Sequence, residues 1–164
     1  MDILAAFQKE FENEYNITKK FLANYSNDLH DWQPHPKSMK MQALTLHLVE
    51  LFHWPTFVFG SDYIDFSQRP PAKATDLTQA DLSLLLEDLY AKSTAAIAQV
   101  SNEVLEEKWQ MRHGENVLME MTRYESFALN IRHIVHHRAQ LGVYYRLNAI
   151  SVPSTIGPSA DEMR

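Results

Sequence analysis

Apolar residues recur at helical spacing in four stretches of this chain. The first, roughly residues 2–28, places Leu4, Phe7, Phe11, Tyr15, Leu22 and Tyr25 on one side. The segment Asp31-Trp32-Gln33-Pro34-His35-Pro36 ends it, because two prolines cannot continue a helix. Ser38 stands as N-cap to a second helix reaching about Phe59, with Leu44, His47, Leu48, Leu51 and Trp54 on one side and Pro55 placed to kink it. Residues 60–77 contain Gly60, Pro70 and Pro71, show no periodicity and read as a long connection. Thr78 caps a third helix to about Val100, with Leu82, Leu85, Leu86, Leu89 and Ile97 facing inward. The period then changes: Trp109, Met111, Val117 and Met119 alternate around His113-Gly114, as in a short hairpin or an irregular loop, and any strand is expected within 104–121. Thr122 and Glu125 form a capping-box pair opening a fourth helix to about Ala149, before Pro153. No internal repeat or low-complexity tract interrupts the chain. The expectation is an all-α fold, a single four-helix-bundle domain over 1–164, with at most a short hairpin between helices 3 and 4.

Eight histidines are a surplus. At about 100° per residue, Asn130, His133, Ile134, His137, Leu141 and Tyr144 share one arc of the fourth helix, which puts His133 and His137 in its buried stripe one turn apart. His136 lies about a quarter-turn from the centre of that stripe. On the second helix His47 shares an arc with Leu44, Leu51 and Trp54, whereas His53 falls about 120° away. Spacing alone leaves two readings open: histidines hydrogen-bonded within a core, or three ligands of one ion. An unsatisfied buried polar group costs about 1–3 kcal/mol, so three imidazoles turned into one core favour a shared divalent cation. A ferritin-like di-metal site needs two Glu-x-x-His motifs, and only Glu50-Leu51-Phe52-His53 fits. His-Glu-x-x-His is absent. Glu50 stands one turn from His47 but reads better as a solvated carboxylate, which leaves three ligands and an open position.

Composition narrows the chemistry. The chain has no cysteine, which removes disulfides, thiolate ligands and a cysteine nucleophile, and suits a reducing cytoplasm. A net charge of −6 argues against duplex DNA or RNA as a partner. No apolar run approaches the roughly 20 residues needed to span a bilayer. Asp2, Glu10, Glu12 and Glu14 in the first helix speak against a signal or transit peptide.

The run Asn130-Ile131-Arg132-His133-Ile134-Val135-His136-His137-Arg138-Ala139-Gln140-Leu141, followed by Pro153 and Gly157-Pro158, resembles the C-terminal signature of DinB proteins. Trp32-Gln33-Pro34-His35-Pro36-Lys37-Ser38 leading to Leu44-Thr45-Leu46-His47-Leu48 is similar to the same family's entry into its second helix, although Ala139 stands where many members have glycine. The resemblance implies an up-down-down-up four-helix bundle and one divalent ion per chain, zinc or nickel, on His47, His133 and His137. It also implies a homodimer. The family's name refers to induction by DNA damage, not to DNA binding. Some relatives are metal-dependent transferases using low-molecular-weight thiols, others resemble hydrolases, and many have no known activity. The first expectation is therefore an enzyme with a small-molecule substrate, whose thiol, if one is used, comes from outside the chain. Helix register brings Asn130, His136, Arg138, Gln140 and Tyr144 near the ion, and Trp54, Phe57 and Tyr144 are expected to line a pocket beside it. The alternatives are a non-catalytic module that senses metal or is stabilised by it, and a helical interaction protein without metal. Ligation needs neutral imidazoles, so affinity is expected to fall below about pH 6.

Overall fold

The computed structural model describes residues 2–68 and 76–163, so Pro70 and Pro71 lie outside the described residues. Helix α1 (Ile3–Ala23) starts where the Asp2 side chain accepts the Ala5 N–H. It stops short of the apolar pattern's end, at Asn24, and Tyr25 is buried from the turn that follows. Helix α2 (Met41–Glu50) begins after Lys40 and not at Ser38, whose N–H is used in a turn by the His35 carbonyl. The chain tightens to a 3-10 turn at Leu51–His53, and helix α3 (Trp54–Gly60) resumes with Pro55 in its first turn, where a missing N–H breaks no bond. Helices α4 (Gln79–Ile97) and α5 (Arg123–Leu147) each open on a complete capping box, Thr78 with Asp81 and Thr122 with Glu125.

Helices α1 and α2 each pack against both α4 and α5. Phe11, Phe21, Met41, Leu44, Leu48, Phe52, Leu82, Leu86, Phe127, Ile134, Leu141 and Tyr145 fill the space between them. None of the helices among the described residues is long and apolar enough to cross a membrane.

The all-α expectation does not survive. A three-stranded sheet joins the helices, in the order β1 (Tyr63–Asp65), β2 (Lys108–His113), β3 (Asn116–Thr122). Strands β2 and β3 are an antiparallel hairpin with Trp109 opposite Met121 and a register shift between Met111 and Arg112. Gly114, at φ +60°, takes the left-handed conformation its turn requires. Strand β1 lies in the stretch read as connection, outside 104–121, and β3 runs on to Thr122. Three residues are too few to display a period of two, and only Ile64 of β1 is buried. Its pairing is parallel to β2 and non-local, with Tyr63 opposite Gln110, and the Asp65 carboxylate accepts the Gly114 N–H at 2.9 Å. The sheet builds a second apolar cluster on Val58, Ile64 and Trp109, with Trp54, Phe66 and Met111 packed against it. Val117 and Met119 stay exposed, so their alternation marks strand geometry and not burial.

Two buried guanidiniums tie these parts together. Arg123, at the start of α5, donates to the carbonyls of Val58 and of Ser61 (2.8 Å) and pairs with Asp62 and Glu107 at 3.0 Å each. Arg138 pairs with Glu14 of α1, both almost wholly buried, and reaches the Glu14 carbonyl at 3.3 Å. Helix register had set Arg138 near the ion; the structure gives it to α1 instead. Removing one member of such a pair strands the other's charge. Arg138→Met should therefore lower unfolding free energy by about 3–5 kcal/mol, whereas Glu14→Leu/Arg138→Met should recover most of that loss. Chemical denaturation of the three proteins checks this, and a single variant as stable as the parent would refute it.

Candidate metal centre

Helix α2 carries His47 into the cleft beside α5, and α5 carries His133 and His137 one turn apart. One ligand nitrogen from each lies within 4.8 Å of the other two, and among the described residues no carboxylate joins the group. The His47 ring stands 5.2 Å from that of His133 and 4.6 Å from that of His137, between centroids. The Nε2 atoms of His133 and His137 approach to 2.8 Å, and Gln140 Oε1 lies 2.7 Å from His137 Nδ1. With Nδ1–H donating to Gln140, His137 turns a lone pair on Nε2 toward the triad. The two Nε2 atoms at this separation share a single proton, in the place of which both lone pairs can turn to one cation beside them.

Burial holds both His133 and His137 below the ordinary imidazole range. For His133 the neighbouring His137 and His136 act in the same direction; for His137 the Gln140 bond opposes the shift and His136 adds to it. Both favour the neutral form, which is the form that ligates. Three converging imidazoles, one oriented by a side-chain amide, fit a divalent metal ion.

The triad is not in the core. Asn130, Ile134, Arg138 and Leu141 are buried, whereas His47, His133 and His137 are half-buried. The buried arc of α5 includes Arg138, which turns toward Glu14 of α1, so the two histidines sit at its edge. Beside them opens a cavity of about 490 Å³. His47, His133 and His136 form one part of its wall, and Trp54, Leu51, Leu129, Phe66 and Met111 form an apolar part, with Asn130 and Arg132 completing it.

Of the residues expected near the ion, Trp54, Asn130 and His136 line this cavity, and Gln140 contacts His137 directly. The Trp54 ring is held by a bond from Nε1 to Ser126 Oγ at 3.2 Å. Tyr144 is elsewhere: its hydroxyl donates to the Met39 carbonyl at 3.1 Å and its ring packs edge-on to Trp32. Phe57 packs on His53 and stays outside the cavity wall. Leu129 and Arg132 were legible as the positions four and one before His133. Phe66 and Met111 reach the wall only because the sheet folds over the cleft, which helix periodicity does not report.

The DinB family model matches residues 2–163. A crystal structure of a DinB-like protein, YjoA, from Bacillus subtilis superposes with a TM-score of 0.70 at 21% identity, covering 97% of this chain and 99% of that one. A DinB-like protein from Bacillus cereus gives 0.71 at 15% identity, covering 90% and 94%. None of the curated proteins matches the chain. The chain belongs to the DinB family.

Zinc binding should follow the geometry residue by residue. His47→Ala, His133→Ala and His137→Ala should each abolish tight binding in calorimetry, and Gln140→Ala should weaken it about 10–100-fold. His136→Ala, one residue from a triad member yet outside the triad, should leave stoichiometry near one per chain. Loss of zinc in His136→Ala with retention in His137→Ala would overturn the assignment.

Proposed function

We propose that this protein is a metal-dependent enzyme holding one divalent ion, zinc or nickel, on His47, His133 and His137, and acting on a small molecule bound in the adjoining cavity. The observation behind this reading is the cavity itself: two of the three histidines form part of its wall, so a molecule within it meets the triad directly. A purely structural ion has no use for such an opening, and three protein ligands leave a position free.

When bound, a divalent ion on three neutral imidazoles keeps its full charge and favours the deprotonated form of a thiol or hydroxyl brought to it. The chain's own groups supply the rest. Gln140 fixes the His137 ring, and the Trp54 ring, anchored on Ser126, offers a flat apolar surface for the body of the substrate. His136 is exposed on the cavity wall with its ring 4.9 Å from that of His137, where it can accept or return a proton. The chain has no cysteine, so a thiol reactant must be a diffusible one. Transfer of a low-molecular-weight thiol, or hydrolysis, is the class of reaction this arrangement suits.

The second reading, a metal-sensing or metal-stabilised module without turnover, requires the ion to be closed to added ligands. Cobalt-loaded protein titrated with small thiols separates the two. A sulfur-to-metal charge-transfer band is expected. No spectral change with thiols, azide or hydroxamates would exclude the enzyme reading.

A further inference from the structure

The cavity beside the triad is charged in one sign only. Its polar wall is His47, His133, His136 and Arg132, and no aspartate or glutamate lines it, in a chain of net charge −6. Asn130 adjoins the cavity, but its amide atoms are themselves buried. The other described arginines are engaged. Arg123, Arg138 and Arg146 pair with carboxylates, and Arg112 lies over the Tyr63 ring and donates to Gln110. Arg132 has no ion pair and no hydrogen bond among the described residues. Its own helix gives it no acid to pair with, since the positions three and four away hold Ala128, Leu129, Val135 and His136. It is exposed, yet it lines a space whose remaining surface is Leu51, Trp54, Phe66, Met111 and Leu129.

We infer that Arg132 is a specificity-determining residue, and that the cavity takes a small molecule with an apolar body and one carboxylate, the carboxylate paired with the Arg132 guanidinium. This inference rests on the reading of the cavity as a substrate site. A guanidinium presents parallel N–H donors that match the two oxygens of a carboxylate. No lysine and no second arginine lines the cavity, so one fork suits a monoanion better than a doubly charged phosphate. The Trp54 ring, held by Ser126, and the aliphatic lining take the apolar body. His133 follows Arg132 directly and His136 stands one turn beyond it, so a molecule held at Arg132 keeps its other end against the imidazoles. A neutral ligand forgoes the pairing, and a cationic one is repelled. Because Arg132 is exposed, water screens the pair and the discrimination is moderate.

The test uses p-toluate and p-toluamide, alike in shape and different in charge, titrated by calorimetry into the metal-free and the zinc-loaded full chain. In the metal-free chain toluate should bind at least about fivefold more tightly than toluamide. Arg132→Gln should remove that difference by weakening toluate alone. Arg132→Lys, which keeps the charge and loses the fork, should retain part of it. The thermal midpoints of both variants should match the parent's, since the side chain is exposed and holds nothing in place. Equal affinities for the two probes in the parent, or a preference for toluate that survives Arg132→Gln, would overturn the inference. So would toluate binding that needs zinc and ignores Arg132→Gln, because the carboxylate would then be ligating the ion. A further pair of probes, 4-(sulfanylmethyl)benzoate and its carboxamide, separates this inference from the proposed function. Charge-transfer bands at equal concentrations of the two in cobalt-loaded protein would sink the role of Arg132 and leave the open metal centre standing. Toluate held through Arg132 in a chain whose cobalt is indifferent to every thiol would do the reverse.

Discussion

The rotation of α5 about its axis decides whether there is a site at all, and the buried Arg138–Glu14 pair sets that rotation. Arg138 lies about 120° around the helix from the midpoint of His133 and His137. With its guanidinium held by the carboxylate and carbonyl of Glu14 on α1, the histidines must face the cleft that α2 borders. A slip of one residue would bury a histidine and eject the arginine. Taking two charges out of water offsets much of their attraction, so the pair contributes register more than net stability. Fifteen residues upstream, Arg123 pins the other end of the same helix to the end of α3 and to the segments flanking β1 and β2. The helix that bears two of the three ligand nitrogens is thus anchored at both of its neighbours.

The second consequence is that bundle and sheet share the site. Helices α2 and α5 supply the nitrogens, whereas Met111 of β2 and Phe66, just after β1, close the apolar wall. Without the sheet the triad would open onto solvent along one face of the bundle. With it, half-buried imidazoles stand at the edge of a partly enclosed volume, desolvated enough to favour their neutral form and open enough to be reached.

Much of this was legible in the pattern of residues. The four helical periods, the cap at Thr78, the Thr122–Glu125 capping box, and the arcs on which His47, His133 and His137 lie are all local properties, and local properties survive in sequence. What the pattern does not carry is non-local. Strand β1 is three residues whose parallel partner lies more than forty positions away, so no periodicity announced it. Nothing in the first helix sets Glu14 apart from its other acids, because only Arg138, on another helix, makes its burial tolerable. Tyr144 shares the arc of the histidines, but it sits two turns beyond His137, where the Met39 carbonyl claims its hydroxyl. Ser38 has the chemistry of a cap, yet the turn after His35 uses it first. A helical wheel reports direction and not depth, which is why it placed the triad inside the core and not at its rim.

The central claim is a divalent ion on three histidines with a coordination position left to the cavity. X-ray absorption at the zinc edge of the loaded protein tests it most directly. The account predicts outer-shell scattering from three imidazoles, together with at least one light-atom ligand that is replaced by sulfur when a small thiol is added. Four protein ligands, or a shell indifferent to the thiol, would contradict it.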